Sequence, residues 1–421
     1  MLRRVSLLLA AVLALALVTA CSGEAAPFEP PTQDELDIDA LVAGAESGAL
    51  TSVDDLILAL PAEQRASVVL VAETKSLHEA DVSSPRLLFF GPDARLLVAV
   101  SSDPSDPRYE TAELMELDEE EGAFRLAAIR FGEDGARVEG QEQCTGCHGA
   151  TPRPIWGSYP VWPGAFGESD EALTAEERRA LTPENVERAP RLRFAREALG
   201  DRYWLEARSD GSPNASLNAE LGPRVATWLV ERARASARFE RFAPALIALP
   251  QCGAVDDERV RAVVGAMREA ISAEALGTRG YDWETIYDLW GLDVTRDFAI
   301  DSRVDRISAS DDAALGLWNS GAAYLDDLVR FLVLDELAES DPPLAVVLAP
   351  SRAARDELRH FGWELTGEKR AEVLADPEVY GRGRLDPERR VLAAALGDLD
   401  VATPSRVAFC LRLGEIWDAR R

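Results

Sequence analysis

Arg86-Leu87-Leu88-Phe89-Phe90-Gly91-Pro92-Asp93-Ala94-Arg95-Leu96-Leu97-Val98-Ala99-Val100 is two apolar runs hinged on a four-residue turn. Runs of four or five β-branched, aromatic and leucine residues on either side of Gly-Pro-Asp-Ala read as a hairpin, with strands over Leu87 to Phe90 and Leu96 to Val100. The next stretch repeats the signal. Thr111 to Leu117 and Phe124 to Phe131 flank the acidic turn Asp118 to Gly122, and Gly132-Glu133-Asp134-Gly135 turns the chain towards a short strand near Val138. Consecutive hairpins without long crossovers give a small antiparallel meander between residues 85 and 139.

Upstream and downstream of this meander the apolar period changes. Over residues 34 to 80, Leu36, Leu41 and Val42 share one helical face, and Leu56, Ile57 and Leu60 close a second segment before Pro61. Two or three short helices are expected there, with the meander packed on them. From residue 171 the chain reads as helix to its end. Thr174 and Glu177 form a capping box, Thr182-Pro183 opens another helix, and Val225, Trp228 and Leu229 recur at helical spacing. Leu325, Leu328, Val329 and Leu332 draw one further stripe, and Val391, Leu392 and Ala395 draw another. The fold class is therefore α+β, mainly helical: a small antiparallel β meander, then a large all-α region. The expected division is 1–20, a leader; 21–33, a tether; 34–140, helices plus hairpins; 141–170, a motif and aromatic loop; and 171–421, the helical region.

The leader has an export pattern. Arg3 and Arg4 precede an almost wholly apolar run over residues 5 to 18, and Val18-Thr19-Ala20 leads into Cys21. The ending resembles the lipobox of bacterial lipoproteins. That resemblance implies cleavage before Cys21 and lipidation of Cys21, and Ser22 beside it fits sorting to the outer membrane. A plain signal peptide with an incidental cysteine is the alternative. Acyl chains bury about 0.8 kcal/mol per CH₂, so a lipidated Cys21 holds the protein on the membrane without a spanning segment. Ser22 to Gln33, with Pro27, Pro30 and Pro31, reads as a flexible tether.

Cys144-Thr145-Gly146-Cys147-His148 carries the chemistry. Two thiols three positions apart match the two vinyl groups of a haem, across which they add as thioethers, and the adjoining imidazole is placed to bind the iron. The pattern predicts one covalent haem c on Cys144 and Cys147, with His148 as proximal ligand. The following loop, residues 149 to 167, is rich in Pro, Gly, Trp and Phe and cannot be regular helix or central strand. It offers Trp156 and Trp162 as an apolar wall, Arg153 as a partner for the haem propionates, and the Pro152 or Pro154 carbonyl for the other imidazole N–H. The aromatic residues serve equally well as cover for the junction between the two halves.

These residues resemble the attachment site of c-type cytochromes, over residues 141 to about 154. The small soluble members of that class follow the motif with a short helical domain presenting a distal methionine, and this chain departs from that plan. Its Trp-Pro-Gly-rich continuation is similar to that of uncharacterised bacterial single-haem lipoproteins. Met115, in a predicted strand, is the first choice as sixth ligand. Met267 sits in an apolar helical stripe and reads as core, His78 and His360 are the only other imidazoles, and an open sixth position remains a further alternative. Histidine–methionine ligation raises the potential, whereas an open site admits a small gas or peroxide.

The chain has five cysteines, so Cys252 and Cys410 are left once lipid and haem have taken theirs. In an oxidising compartment they are expected to pair as a disulfide, although each has apolar neighbours that also suit a buried thiol. Forty-five basic against 74 acidic side chains give a net charge of −29, which excludes nucleic acid as a partner. With only Lys75 and Lys369 as lysines, a redox partner, whose identity the sequence leaves open, is expected to present basic or mixed charge. Much of the acidity has a simpler role in solubility.

The leading expectation is a membrane-anchored mono-haem protein that transfers electrons in the bacterial cell envelope, a periplasm-facing outer-membrane lipoprotein and a carrier rather than a catalyst. The alternative is a haem-dependent peroxide-reducing enzyme or small-gas sensor with an open iron site. Thiol–disulfide exchange by Cys144 and Cys147 would call for a buried strand leading into the motif, which Gly140-Gln141-Glu142-Gln143 does not supply. Zinc would need a second pair of ligands at suitable spacing, and Cys252 and Cys410 stand alone.

Overall fold

A computed structural model describes residues 29–72, 76–118, 123–140, 144–148, 152, 164–166, 173–205, 213–274, 282–293, 297, 312–365, 391–397 and 399–421. The leader, Cys21, most of the tether, Arg153, Trp156 and Trp162 lie outside the described residues. So does most of the acidic turn after Asp118.

The architecture is α+β and mainly helical. Three short helices come first: α1 (Ile38–Glu46), α2 (Val53–Ala59) and α3 (Ala62–Ala66). Asp37 and Ser52 cap the first two by accepting from the N–H of Ala40 and Asp55. Then come β1 (Val68–Val71), β2 (Arg86–Phe89), β3 (Leu96–Val100), β4 (Thr111–Asp118), β5 (Ala123–Arg130) and β6 (Arg137–Glu139), one antiparallel sheet in sequence order. The expected strands appear within a residue of their expected bounds. β1 is an addition: Val68–Val71 lies in the stretch read as helical, and its four consecutive apolar residues are all buried. A run buried on both faces has no alternation to betray it.

Burial on both faces is the rule across this sheet. Side chains such as Leu70, Leu87, Phe89, Val98, Leu114 and Ile129 join the early helices and Leu173 to Ala195 in one core. Their strand neighbours Val69, Leu88, Leu97, Met115, Phe124 and Leu126 belong to a larger core shared with the helical region. Period two along each strand assigns alternate residues to the two cores. The outer edge of β1 is also occupied: Ala72 N–H donates to the Gly164 carbonyl at 2.7 Å and Phe166 N–H to the Leu70 carbonyl at 2.8 Å. The chain thus leaves one edge of the sheet at Glu139 and returns to the opposite edge at Gly164.

After the one-turn helix α4 (Thr145–His148), the helical region runs through α5 (Ala175–Ala180), α6 (Pro183–Arg188), α7 (Leu192–Leu205), α8 (Pro213–Arg234), α9 (Phe239–Cys252), α10 (Glu258–Glu274) and α11 (Asp282–Leu289). It continues with α12 (Asp312–Ser340), α13 (Pro342–Val347), α14 (Arg352–Arg359), α15 (Val391–Leu396) and α16 (Pro404–Ala419). The Thr174 capping box forms as expected. Among the described residues no helix is long and apolar enough to cross a membrane.

The two parts are stapled by a buried arginine. Arg191, just before α7, is fully withdrawn from solvent and reaches Asp54 Oδ1 and Glu110 Oε1, each at 2.7 Å, and the Ser101 carbonyl at 3.1 Å. Its guanidinium also donates to the Tyr109 carbonyl and stacks 3.5 Å from the centre of the Tyr109 ring.

Candidate functional site

Cys144 lies five residues past Glu139, the end of the edge strand β6. α4 starts directly after Cys144, and the His148 N–H donates to the Cys144 carbonyl at 2.9 Å. This single turn puts position 147 one turn on from position 144, with 148 beside it, because residues three and four apart share a helix side. Cys144 and His148 are half-buried, and Cys144 packs against the larger core. Glu139, at the end of β6, is tied by Arg108 at 3.0 Å, so the approach to the motif is fixed to the β3–β4 connection. Pro152 is buried, and Gly164 to Phe166 close the following loop onto β1.

Two thiols and an imidazole delivered from one helical turn suit a haem c: the thiols match the vinyl groups and the imidazole the iron. Thiol–disulfide exchange fits less well, since the strand leading in has only three residues, with Val138 38 % exposed. Among the described residues no three His, Cys, Asp or Glu side chains gather as they would round a metal ion held by protein ligands alone.

The candidate sixth ligands fall in different settings. Met115 is buried on β4, opposite Leu97 on β3 and Leu126 on β5. Met267 is fully buried on α10 with Val260, Val264 and Ile271. His360 is exposed, its Nδ1 3.1 Å from Glu364 Oε2. His78 is buried, contrary to the surface position usual for a loop histidine in a polar stretch.

Around His78 the sheet face turns polar. His78 Nδ1 lies 3.3 Å from Asp106 Oδ2, and Glu113 on β4 is paired with Arg86 on β2 at 2.5 Å. Burial lowers the His78 imidazole to about 4 against the pull of Glu113, so the ring is neutral at physiological pH. Burial alone would raise the Asp106 carboxyl. Hydrogen bonds from the Arg108 N–H, Ser101 and His78 outweigh it and hold the carboxyl below its ordinary value. Nothing in Ser76-Leu77-His78-Glu79 signals this burial, because the partners come from β2, β4 and the β3–β4 connection.

Cys252 and Cys410 are joined by a disulfide, with Cα atoms 5.8 Å apart. The helical region also buries a polar cluster: Tyr287 Oη donates to Asp326 Oδ1 at 2.5 Å, and Arg330 pairs with Asp326 at 2.6 Å. Burial raises the Tyr287 phenol well above its ordinary range, which keeps it a hydrogen-bond donor. Comparison with protein-family models, curated proteins and solved structures finds no match to this chain.

Proposed function

We propose that the chain is a lipid-anchored carrier of one covalent haem c that passes single electrons between proteins in the bacterial cell envelope. The observation that carries this reading is the helical turn at Cys144 to His148, closed by the His148 N–H on the Cys144 carbonyl. A haem bound there supplies a reversible one-electron couple, taking an electron from a reduced partner and giving it to an oxidised one. Cys144 and Cys147 hold the group by two thioethers, and His148 provides a neutral nitrogen to its iron. The packing of Cys144 on the larger core keeps water from one side of the turn. Arg153, Trp156 and Trp162 stay as proposed propionate and ring contacts from the adjoining loop.

The acidic surface favours a partner of basic or mixed charge, whose docking slows as salt rises. Cys21 is the proposed membrane anchor, on the periplasmic side of the outer membrane.

The test is the protein purified from the envelope of an expressing bacterium. A mass increased by one haem and a pyridine haemochrome spectrum of two thioethers are expected. Cys144→Ala or Cys147→Ala should shift that band, and His148→Ala should abolish the low-spin spectrum or stable loading. A mature mass without haem would remove the reading. Rapid carbon monoxide binding by the reduced protein would favour peroxide reduction or gas sensing over electron transfer.

A further inference from the structure

The three histidines of the chain occupy three environments. His148 belongs to the motif, and His360 stands in solvent with its side chain 57 % exposed. The His78 side chain is wholly withdrawn from solvent, with Nδ1 on Asp106 and Nε2 without a hydrogen-bond partner among the described residues. Glu113 Oε2 is 3.8 Å from that nitrogen, too far for a hydrogen bond, and is held by Arg86.

Resting on the reading that Cys144 and Cys147 carry a haem, we propose that His78 Nε2 is the second axial ligand, opposite His148, so that two imidazoles hold the iron.

The orientation of His78 is that of a metal ligand. An imidazole that binds a metal through one nitrogen commonly donates its other N–H to a carboxylate, which fixes the tautomer and the ring plane. Asp106 takes that part here and is itself pinned, accepting from the Glu79 N–H at 3.2 Å and the Arg108 N–H at 2.7 Å. With the proton on Nδ1, Nε2 carries an open lone pair inside the protein. A buried acceptor left without a partner is costly, and ligation answers it.

The location agrees. Arg108, whose N–H holds Asp106, sends its guanidinium to Glu139, the last residue of β6. Glu113 pairs with Ala128 and Ala128 with Glu139, so the residue facing His78 is two strands, about 10 Å, from the end of β6. Cys144 follows five residues later, a stretch that reaches at most about 18 Å. Arg108 thus ties the His78–Asp106 pair to the strand from which the motif departs. Met115 is two residues along β4 from Glu113 on the same face, but its side chain belongs to the larger apolar core. Packing already accounts for it, whereas packing does not account for the open nitrogen of His78.

The experiment uses the full chain, loaded with haem in the envelope. A pyridine haemochrome on each variant reports covalent haem whatever the axial ligands. Its absence from the wild type would overturn the haem reading and this proposal together; its presence leaves the ligand question to stand alone. The ferric wild type should give the low-spin electron paramagnetic resonance of two imidazoles and lack the far-red charge-transfer band of methionine coordination. Met115→Leu should leave both unchanged. His78→Ala should become high-spin, and added imidazole should restore the low-spin signal. Should His78→Ala fail to accumulate, the wild-type and Met115→Leu spectra still decide. A methionine band lost in Met115→Leu, a high-spin wild type, or a bis-imidazole signal that persists in His78→Ala would each overturn the assignment.

Discussion

Cys252, the last residue of α9, is bonded to Cys410, within α16, across 158 positions of sequence. Both are buried, so the bridge ties two core helices rather than two surface loops. Replacing both by Ala should lower stability by as much as about 5 kcal/mol on the chain-entropy estimate for a loop of this length. Thermal melting with and without reductant measures it. Thiol labelling of the unfolded, unreduced protein should modify neither Cys252 nor Cys410; labelling at both would mean that the bridge does not form in the mature protein.

Arg191→Met should cost about 2–3 kcal/mol, because it leaves Asp54 and Glu110 without their shared cation and two buried carbonyls without a donor. Both carboxylates keep some contact with water, which holds the figure below that for a fully buried pair. Urea denaturation should show a lower midpoint at an unchanged slope. A midpoint equal to wild type would show that the staple adds nothing to stability.

Asp341 caps α13 through the Leu344 N–H at 2.7 Å and accepts from Arg412 Nε at 2.8 Å. The Arg412 guanidinium holds its carboxyl below the ordinary 3.8. An acid whose native value is depressed adds stability that is complete above the unfolded value and disappears as the pH falls through the native one. Asp341→Asn keeps the cap and loses the ion pair, so it should destabilise by about 0.5–1 kcal/mol at pH 7. Stability measured against pH should show the two proteins converging on the acid side of 3.8. A gap that persists there would assign the effect to something other than this charge.

Cys21→Ala should move the protein from the membrane fraction to the soluble periplasmic one, since acyl chains are the proposed attachment. Fractionation of the envelope and the mass of the mature amino-terminal peptide check it. Wild-type protein already soluble would remove the anchor.

Signals confined to a few neighbouring residues were readable in the sequence. Gly91 to Ala94 and Gly132 to Gly135 announced their turns, and the Thr174–Glu177 box announced its helix, because each is made within four residues. The motif at Cys144 to His148 stands out in the sequence for the same reason, its residues being contiguous, and the haem it suggests is a proposal. What distant residues decide was not. β1 was missed since burial on both sides erases alternation, and the pairing of Val71 with Ala165 joins positions far apart in the chain. The side-chain partners of His78 and Arg191 lie 28 or more positions away in the chain, and only the assembled sheet withdraws the two from water.

The occupation of the β1 edge by Gly164 to Phe166 orders events along the emerging chain. Six strands joined only to their sequence neighbours pair early, since local contacts close at little entropic cost. The flank of Val68–Val71 is then bare, an apolar template for a second molecule, until the residues beyond Cys144 to His148 arrive. A chain cut between residues 148 and 164 would keep every strand and the whole motif, yet should aggregate through that flank. Gly164 to Phe166 thereby cover the edge through which the sheet would otherwise pair with a second molecule.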